Sequence, residues 1–292
     1  MKNLFNQTKK RKKKFSIDKL VLGFVFTFFL IYSIALIFPL VWGVISSFKG
    51  RLEYRREPFG LPEKWLFSNY SMALEKITDG GFTFLEMFWN SIWFCVGSCA
   101  ISIFFTTIYS YVLNKYTFFG RNFLYNLCIF MIAVPISASF VSIYRLYYLT
   151  GMANSYKILF SATGVYGMGL IIQCSFWNNV SWSYAEAAQI DGANFYQIFF
   201  SAMMPQVKPI MLMQFLMSFV GKWNDYMSPL LYLPKMPTLA VGLFRYRTIV
   251  ERSGNYPILF AGLVLCMIPG LVMYAIAQDY MMENMTIGGL KG

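Results

Sequence analysis

The chain has 292 residues, of which 57% are hydrophobic, 20% aromatic and only 13% charged. A soluble chain carries about 25% charged residues, and the shortfall lies in apolar runs that exceed the roughly 20 residues needed to cross a bilayer. The formal net charge of +12 comes mostly from one short arm, so it argues for a membrane surface and against nucleic acid; a β-barrel, with its short alternating strands, is excluded as well. What remains is an all-α polytopic membrane protein.

Residues 1–19 form the basic arm, with Lys9, Lys10, Arg11, Lys12, Lys13 and Lys14 in one run. Ahead of an apolar span, such a run is held on the cytoplasmic side by anionic lipid headgroups. A cleaved signal peptide fits less well, because the run from Leu20 to Trp42 is too long for a signal core and lacks a small-residue cleavage site after it. Six spans are expected, at about 20–48, 85–113, 123–149, 157–177, 207–233 and 257–280, in one transmembrane domain over 20–280. Pro39 should kink the first and Pro135 should interrupt the third. Ser161, Gly164, Gly167 and Gly169 would let the fourth pack closely inside the bundle. A mixed-charge segment at 49–84 and a second polar segment at 234–256 fall on one side, and 281–292 forms a tail.

Six spans put both termini on the same side. The total basic count does not say which, since it leaves twelve residues on each side with Lys222 apart. Density near the first span does: eight basic residues precede it. This reading places both termini, the Lys115–Arg121 turn and the polar island at 180–206 in the cytoplasm of a cell whose plasma membrane holds the chain.

That island contains YAEAAQIDGANFYQIFFSAMMP, from Tyr184 to Pro205. Ser183 and Glu186 have the spacing of a reciprocal helix cap, as do Asn194 and Gln197. Gly192 stands where a first helix would end in a left-handed residue, and Pro205 near the end of a second. An exposed connector is one reading. Connectors, however, have a median of roughly 4–6 residues, and longer ordered ones tend to be functional. A helix–turn–helix docking surface is therefore expected.

The absence of histidine removes the commonest general base and metal ligand together. Cys95, Cys99, Cys128, Cys174 and Cys266 lie in apolar runs and read as packing residues, without disulfides or a metal site. No GxxxxGK[ST], HExxH or GxSxG is present. Charges within the spans are rare and therefore count as functional candidates. Lys222 and Asp225, at i and i+3, are expected to pair on one helix face. Alternatively, Trp223, Asn224 and Asp225 line a water-filled path, with side chains suited to stacking and hydrogen bonding to a sugar. Gln173 reads as an interhelical hydrogen-bonder. Glu86, Arg145 and Asp279 read as interfacial residues at span ends, and Pro135 and Pro269 as sites of freed backbone carbonyls.

Glu186-Ala187-Ala188, with Gly192 and Pro205 after it, resembles the EAA signature of the membrane subunits of binding-protein-dependent ABC importers. Gln189-Ile190-Asp191-Gly192-Ala193, Trp223-Asn224-Asp225-Tyr226, Trp89-Asn90-Ser91 and the ending Gly288 to Gly292 are similar to the carbohydrate-uptake, maltose-type branch. The family usually has Ile-x-Leu-Pro where Ala202-Met203-Met204-Pro205 stands, and a proline and an acidic residue where Ser181 and Ser183 stand. The resemblance implies the type I importer permease fold, a second and different permease subunit, two cytoplasmic ATPase chains and an extracellular sugar-binding protein. It implies that ATP and magnesium are held by the ATPase partners, with no cofactor in this chain. It also implies that Glu186, Ala187, Ala188, Asp191 and Gly192 couple to the ATPase, Glu186 offering its carboxylate and Gly192 the turn, and that the tail touches the ATPase pair.

A secondary carrier driven by an ion gradient is the rival of another class. It would want intramembrane carboxylates beyond Asp225 and two inverted halves, whereas the polar hairpin occurs once. A membrane enzyme acting on lipid or glycan would lack histidine and acid pairs.

Overall fold

The computed structural model describes residues 17–133, 140–163 and 167–285. The basic run 9–14, Pro135, Gly164, the tail residues 288–292 and the Asp279 side chain lie outside that description. Among the described residues every named element is helical.

Helix α1 (Ile17–Ser47) remains helical through Pro39. It joins the bundle near its C-terminal end, where Trp42 packs on Phe260 at 5.2 Å, edge to face. Every residue from 21 to 41 is exposed. Two short helices, α2 (Arg51–Arg56) and α3 (Ser68–Lys76), then form a collar at this end. Lys49 is fully buried there, and its Nζ donates to the Glu57 and Pro58 carbonyls at 2.8 and 3.1 Å. Asn69 Nδ2 donates to the Ser47 and Lys49 carbonyls at 2.8 and 2.9 Å. These four bonds fasten the end of α1 to the collar.

Helix α4 (Phe84–Lys115) is the centre of the molecule and packs against α3, α7, α10 and α12. It opens on a capping box: Thr83 Oγ1 accepts from the Glu86 N–H, and a Glu86 carboxylate oxygen accepts from the Thr83 N–H at 2.8 Å. Glu86 is thus a cap, not merely an interfacial charge, because its position three residues after a threonine lets it satisfy a free helix-end donor. Ser91, Thr106, Thr107 and Ser110 turn their hydroxyls back onto carbonyls of their own helix. That disposes of hydroxyl protons where no water is at hand.

The third expected span is described as α5 (Arg121–Ala133) and α6 (Phe140–Leu149). The fourth is not one helix. It consists of a 3₁₀ helix (Tyr156–Thr163) and α7 (Met168–Asn179), with Gly167 at φ +103° just before the second piece. An L side chain is strained at that angle, so glycine there breaks the run. The 3₁₀ piece lies tight on α4: a Cβ on Gly97 would come within 2.8 Å of Leu159 Cδ1.

After α8 (Ser183–Ile190) and α9 (Phe195–Gln197), the chain stays helical through a π-helical stretch (Ile198–Met203) and a 3₁₀ turn (Met204–Val207) into α10 (Lys208–Asn224). Pro205 marks a change of helix type where an end was expected: without an N–H it cannot make the α-type bond, and a tighter turn accommodates it. The fifth expected span is also shorter than read. It stops at Asn224 because Asp225 is extended, at ψ 106°, and its Oδ1 accepts from the Ser228 N–H to start α11 (Met227–Tyr232). Helix α12 (Leu239–Ser253) precedes α13 (Tyr256–Met285), which runs unbroken through Pro269. Among the described residues, stretches of α1, α4 and α13 are long and apolar enough to cross a membrane on their own.

The collar depends on Lys49. Lys49→Met keeps the packed stem but leaves the part-buried Glu57 carbonyl without its donor, while the Pro58 carbonyl keeps the Trp42 indole N–H, at about 1–3 kcal/mol. A lower thermal midpoint of the purified protein in detergent is expected; an unchanged midpoint would show the collar to be held by packing alone.

Candidate functional site

The polar hairpin is built almost wholly from local bonds. Helix α8 ends in a Schellman closure: the Ala193 N–H donates to the Ala188 carbonyl at 2.9 Å and the Gly192 N–H to the Gln189 carbonyl at 3.0 Å. Gly192 adopts φ +80°, as this closure requires. The Asn194–Gln197 box forms in both directions, at 3.0 and 2.8 Å. The Ser183–Glu186 box does not. Ser183 is already inside the helix, its hydroxyl 2.8 Å from Ser181 Oγ, and its N–H donates to that same Ser181 oxygen at 3.2 Å.

The hairpin is seated on the ends of α4 and α7. Ala185 is buried in a cluster with Tyr111, Trp177, Val180, Phe199 and Met203. Tyr111 lies 5.1 Å from Trp177 and 4.9 Å from Phe199, ring to ring. Lys115 Nζ donates to the Val180 carbonyl at 2.6 Å, tying the end of α4 to the strap that enters the hairpin. Ala185 and the half-buried Ala188 therefore face inward, while Glu186, Ala187, Asp191 and Gly192 are exposed. The hairpin also exposes Tyr184, Ile190, Phe195 and Tyr196, with Ile190 at 86%. These four apolar side chains escaped the sequence reading. Their signal was available, since large apolar residues interrupt an island that is otherwise polar.

The fifth-span candidates separate. Trp223 is buried, its indole N–H donates to the Cys266 carbonyl at 3.0 Å, and its ring stacks on Phe219 at 5.6 Å. It packs in the core and also lines, with Asn224, a crevice between α1, α10 and α13. Asn224 is exposed and bonds back to the Val220 carbonyl at 2.8 Å, beside this crevice of about 430 Å³. Asp225 caps α11. The expected Lys222–Asp225 pair is not made: α10 ends between the two residues, and Lys222 Nζ lies 5.6 Å over the Phe94 ring. Ion pairs among the described residues include Arg245–Asp79 and Arg247–Glu251.

A second polar feature lies within the bundle. A cavity of about 350 Å³ between α4, α7 and α10 is lined by Ser102, Thr106, Gly169, Gln214 and Ser218, among others. Beside it runs a head-to-tail chain of donors. Trp177 Nε1–H donates to Ser110 Oγ at 3.0 Å, and Ser110 donates to Gln173 Oε1 at 3.0 Å. Gln173 Nε2 donates to Gln214 Oε1 at 2.6 Å, and Gln214 Nε2 to the Gly169 carbonyl at 2.8 Å. Gln173 is thus an interhelical hydrogen-bonder, as read. Gln214 was missed, although an amide within the apolar run 211–217 carries the same signal.

Among the described residues, then, the structure is a helical bundle with an exposed hairpin between α7 and α10. A bacterial ABC transporter involved in the import of the acidic polysaccharide alginate contains a chain of the same fold, with a TM-score of 0.77 over 91% of this chain and 98% of that one at 21% identity. The chain belongs to the family of binding-protein-dependent transport system inner membrane components, whose pattern matches residues 106–286. Curated relatives include the arabinooligosaccharides transport system permease protein AraQ of Halalkalibacterium halodurans, 27% identical over 94% of this chain and 96% of the relative. The diacetylchitobiose uptake system permease protein NgcG of Streptomyces coelicolor is 26% identical over 90% and 86%. The maltodextrin transport system permease protein MdxG of Bacillus subtilis is 26% identical over 91% and 95%.

Gly192→Ala places a Cβ at φ +80°, at a cost of about 1–2 kcal/mol. Faster amide hydrogen exchange over 188–197, with the bundle unchanged, is the expected result. Asn194→Ala should speed exchange at Gln197 through loss of a cap of about 1 kcal/mol.

Proposed function

We propose that this chain is the permease subunit of a bacterial ABC importer for an oligosaccharide or other carbohydrate. It forms half of the translocation pathway with a second, different permease. Two ATPase chains on the cytoplasmic side hold ATP and magnesium, and an extracellular binding protein delivers the sugar. The observation that carries this reading is the hairpin: a self-supporting surface that presents Glu186 among exposed Ile190, Tyr184 and Tyr196 while its base is locked to α4 and α7. A carboxylate on a surface that also exposes large apolar side chains fits a partner cleft that is apolar and carries a basic residue.

In this reading Glu186 pairs with that residue, and Ala187 and Gly192 leave room for the cleft wall. Asp191, at the end of α8, adds a second carboxylate. The basic arm ahead of α1 supports a cytoplasmic position for both termini and the hairpin. The relatives named for arabinooligosaccharide, diacetylchitobiose and maltodextrin systems support a sugar as cargo. Of the fifth-span candidates, Trp223 and Asn224 line the crevice at the proposed pathway, and Asp225 follows them in the chain, starting α11.

Glu186→Ala is expected to leave the protein in the membrane while weakening its hold on the ATPase chains by about tenfold or more, the order of one charge-assisted hydrogen bond. Sugar uptake should fall with it. Uptake that survives ATP depletion in vesicles and collapses with the ion gradient would establish a secondary carrier instead. Asn224→Leu should slow sugar passage with ATP hydrolysis retained; unchanged transport kinetics would assign Asn224 to packing.

A further inference from the structure

Helix α7 leads into the hairpin and α10 leads out of it, so the two are joined covalently at one end through the docking surface. Within the bundle they are joined again. Gln214 of α10 accepts from Gln173 Nε2 and donates to the Gly169 carbonyl, and among the described residues these are the hydrogen bonds between the two helices. Both pass through one side chain. We propose that Gln214 is a positioning residue for energy coupling: it closes α7, the hairpin and α10 into one ring, so that a displacement of the hairpin is carried along α10 to Asn224 at its far end. The inference rests on the permease reading above.

The physical case has three parts. Gly169, Gln173 and Trp177 recur at i, i+4 and i+8, so they share one face of α7. Gln173 is almost fully buried, and its amide is oriented at both ends: Ser110 donates to its oxygen, which turns its NH₂ toward Gln214. Gln214 is half-buried and lines the cavity with Ser102, Thr106 and Ser218. Apolar helix contacts in a membrane can slide, because lipid is as apolar as the partner helix. A pair of directional bonds at one residue cannot slide without breaking. Without this clamp, a push on the hairpin would be absorbed by the separation of α7 from α10.

The test uses the complete transporter in vesicles, reading sugar accumulated per ATP hydrolysed together with the thermal midpoint of each variant. Gln214→Met keeps the length and volume of the side chain and removes both bonds. Assembly with the ATPase chains and ATP hydrolysis should persist, while sugar moved per ATP falls about tenfold, the order expected for loss of one to two buried hydrogen bonds. Ser110→Ala is the structural control. It breaks the donor chain on the α4 side and lowers stability, yet leaves Gln214 bonded to the Gly169 carbonyl of α7, so its ratio should stay well above that of Gln214→Met. Gln173→Leu removes one of the two bonds and should give an intermediate ratio; if Gln214→Met does not fold, this variant makes the same comparison. A wild-type ratio in the variant that folds, or an equal fall in Ser110→Ala, overturns the proposal. Wild-type vesicles that move sugar without ATP would overturn the permease reading itself, a result distinguishable from both.

Discussion

In a bilayer, each buried polar group must find its partner within the protein, and this constraint shapes the molecule from α4 outward. The hydroxyls of α4 fold back onto its own carbonyls, which leaves a smooth flank on which α7 and α10 can lie. Ser110 is the exception: its proton reaches both the Thr107 carbonyl and Gln173 Oε1, each at 3.0 Å. From that one departure the donor chain runs through Gln173 and Gln214. The polar side-chain bonds that join α4, α7 and α10 thus run along one seam, where a satisfied network adds direction to packing that would otherwise be merely apolar.

The two ends of the bundle are built differently. At the collar, Lys49 and Asn69 reach backbone carbonyls, so α1 is fastened by charged and amide donors. At the hairpin end, aromatic rings do the work: Tyr111, Trp177 and Phe199 form a plug, and Tyr116 extends it to Trp182 and Phe195 at 5.9 and 6.2 Å. Broad aromatic faces tolerate small rotations better than single donors do, because ring pairs are attractive over a range of angles and centroid distances. The hairpin's base is thus held by ring packing with the Lys115–Val180 tie beside it, and the collar by its four donor bonds.

Much of this was legible in the residues, and the failures have specific causes. Helices α1, α4 and α13 are uninterrupted apolar runs, which composition alone reports. The fourth and fifth spans have the same composition but are broken, because the decisive facts are a single glycine in a left-handed conformation and a single aspartate that caps. Asp225 stands three residues before Ser228, a cap spacing as readable as Asn194–Gln197; an i, i+3 charge pair was read there because a continuous helix had been assumed. Ser183–Glu186 failed in the opposite way. The spacing was right, but Ser181 offered an acceptor two residues away, and the helix starts without a side-chain cap. The inward turn of Ala185 and Ala188 needed the seat beneath them, which no local pattern reveals.

The turn at Gly192 and the box at Asn194 are closed by atoms within a few residues of one another, so the hairpin holds its shape without help from a neighbour. A surface prepared in this way loses little conformational freedom when something grips it, since the ordering cost has been met during folding. Repeated gripping and release then becomes a matter of contact area and charge, as with a rigid key. A catch of this kind can work at every turnover without the delay of refolding.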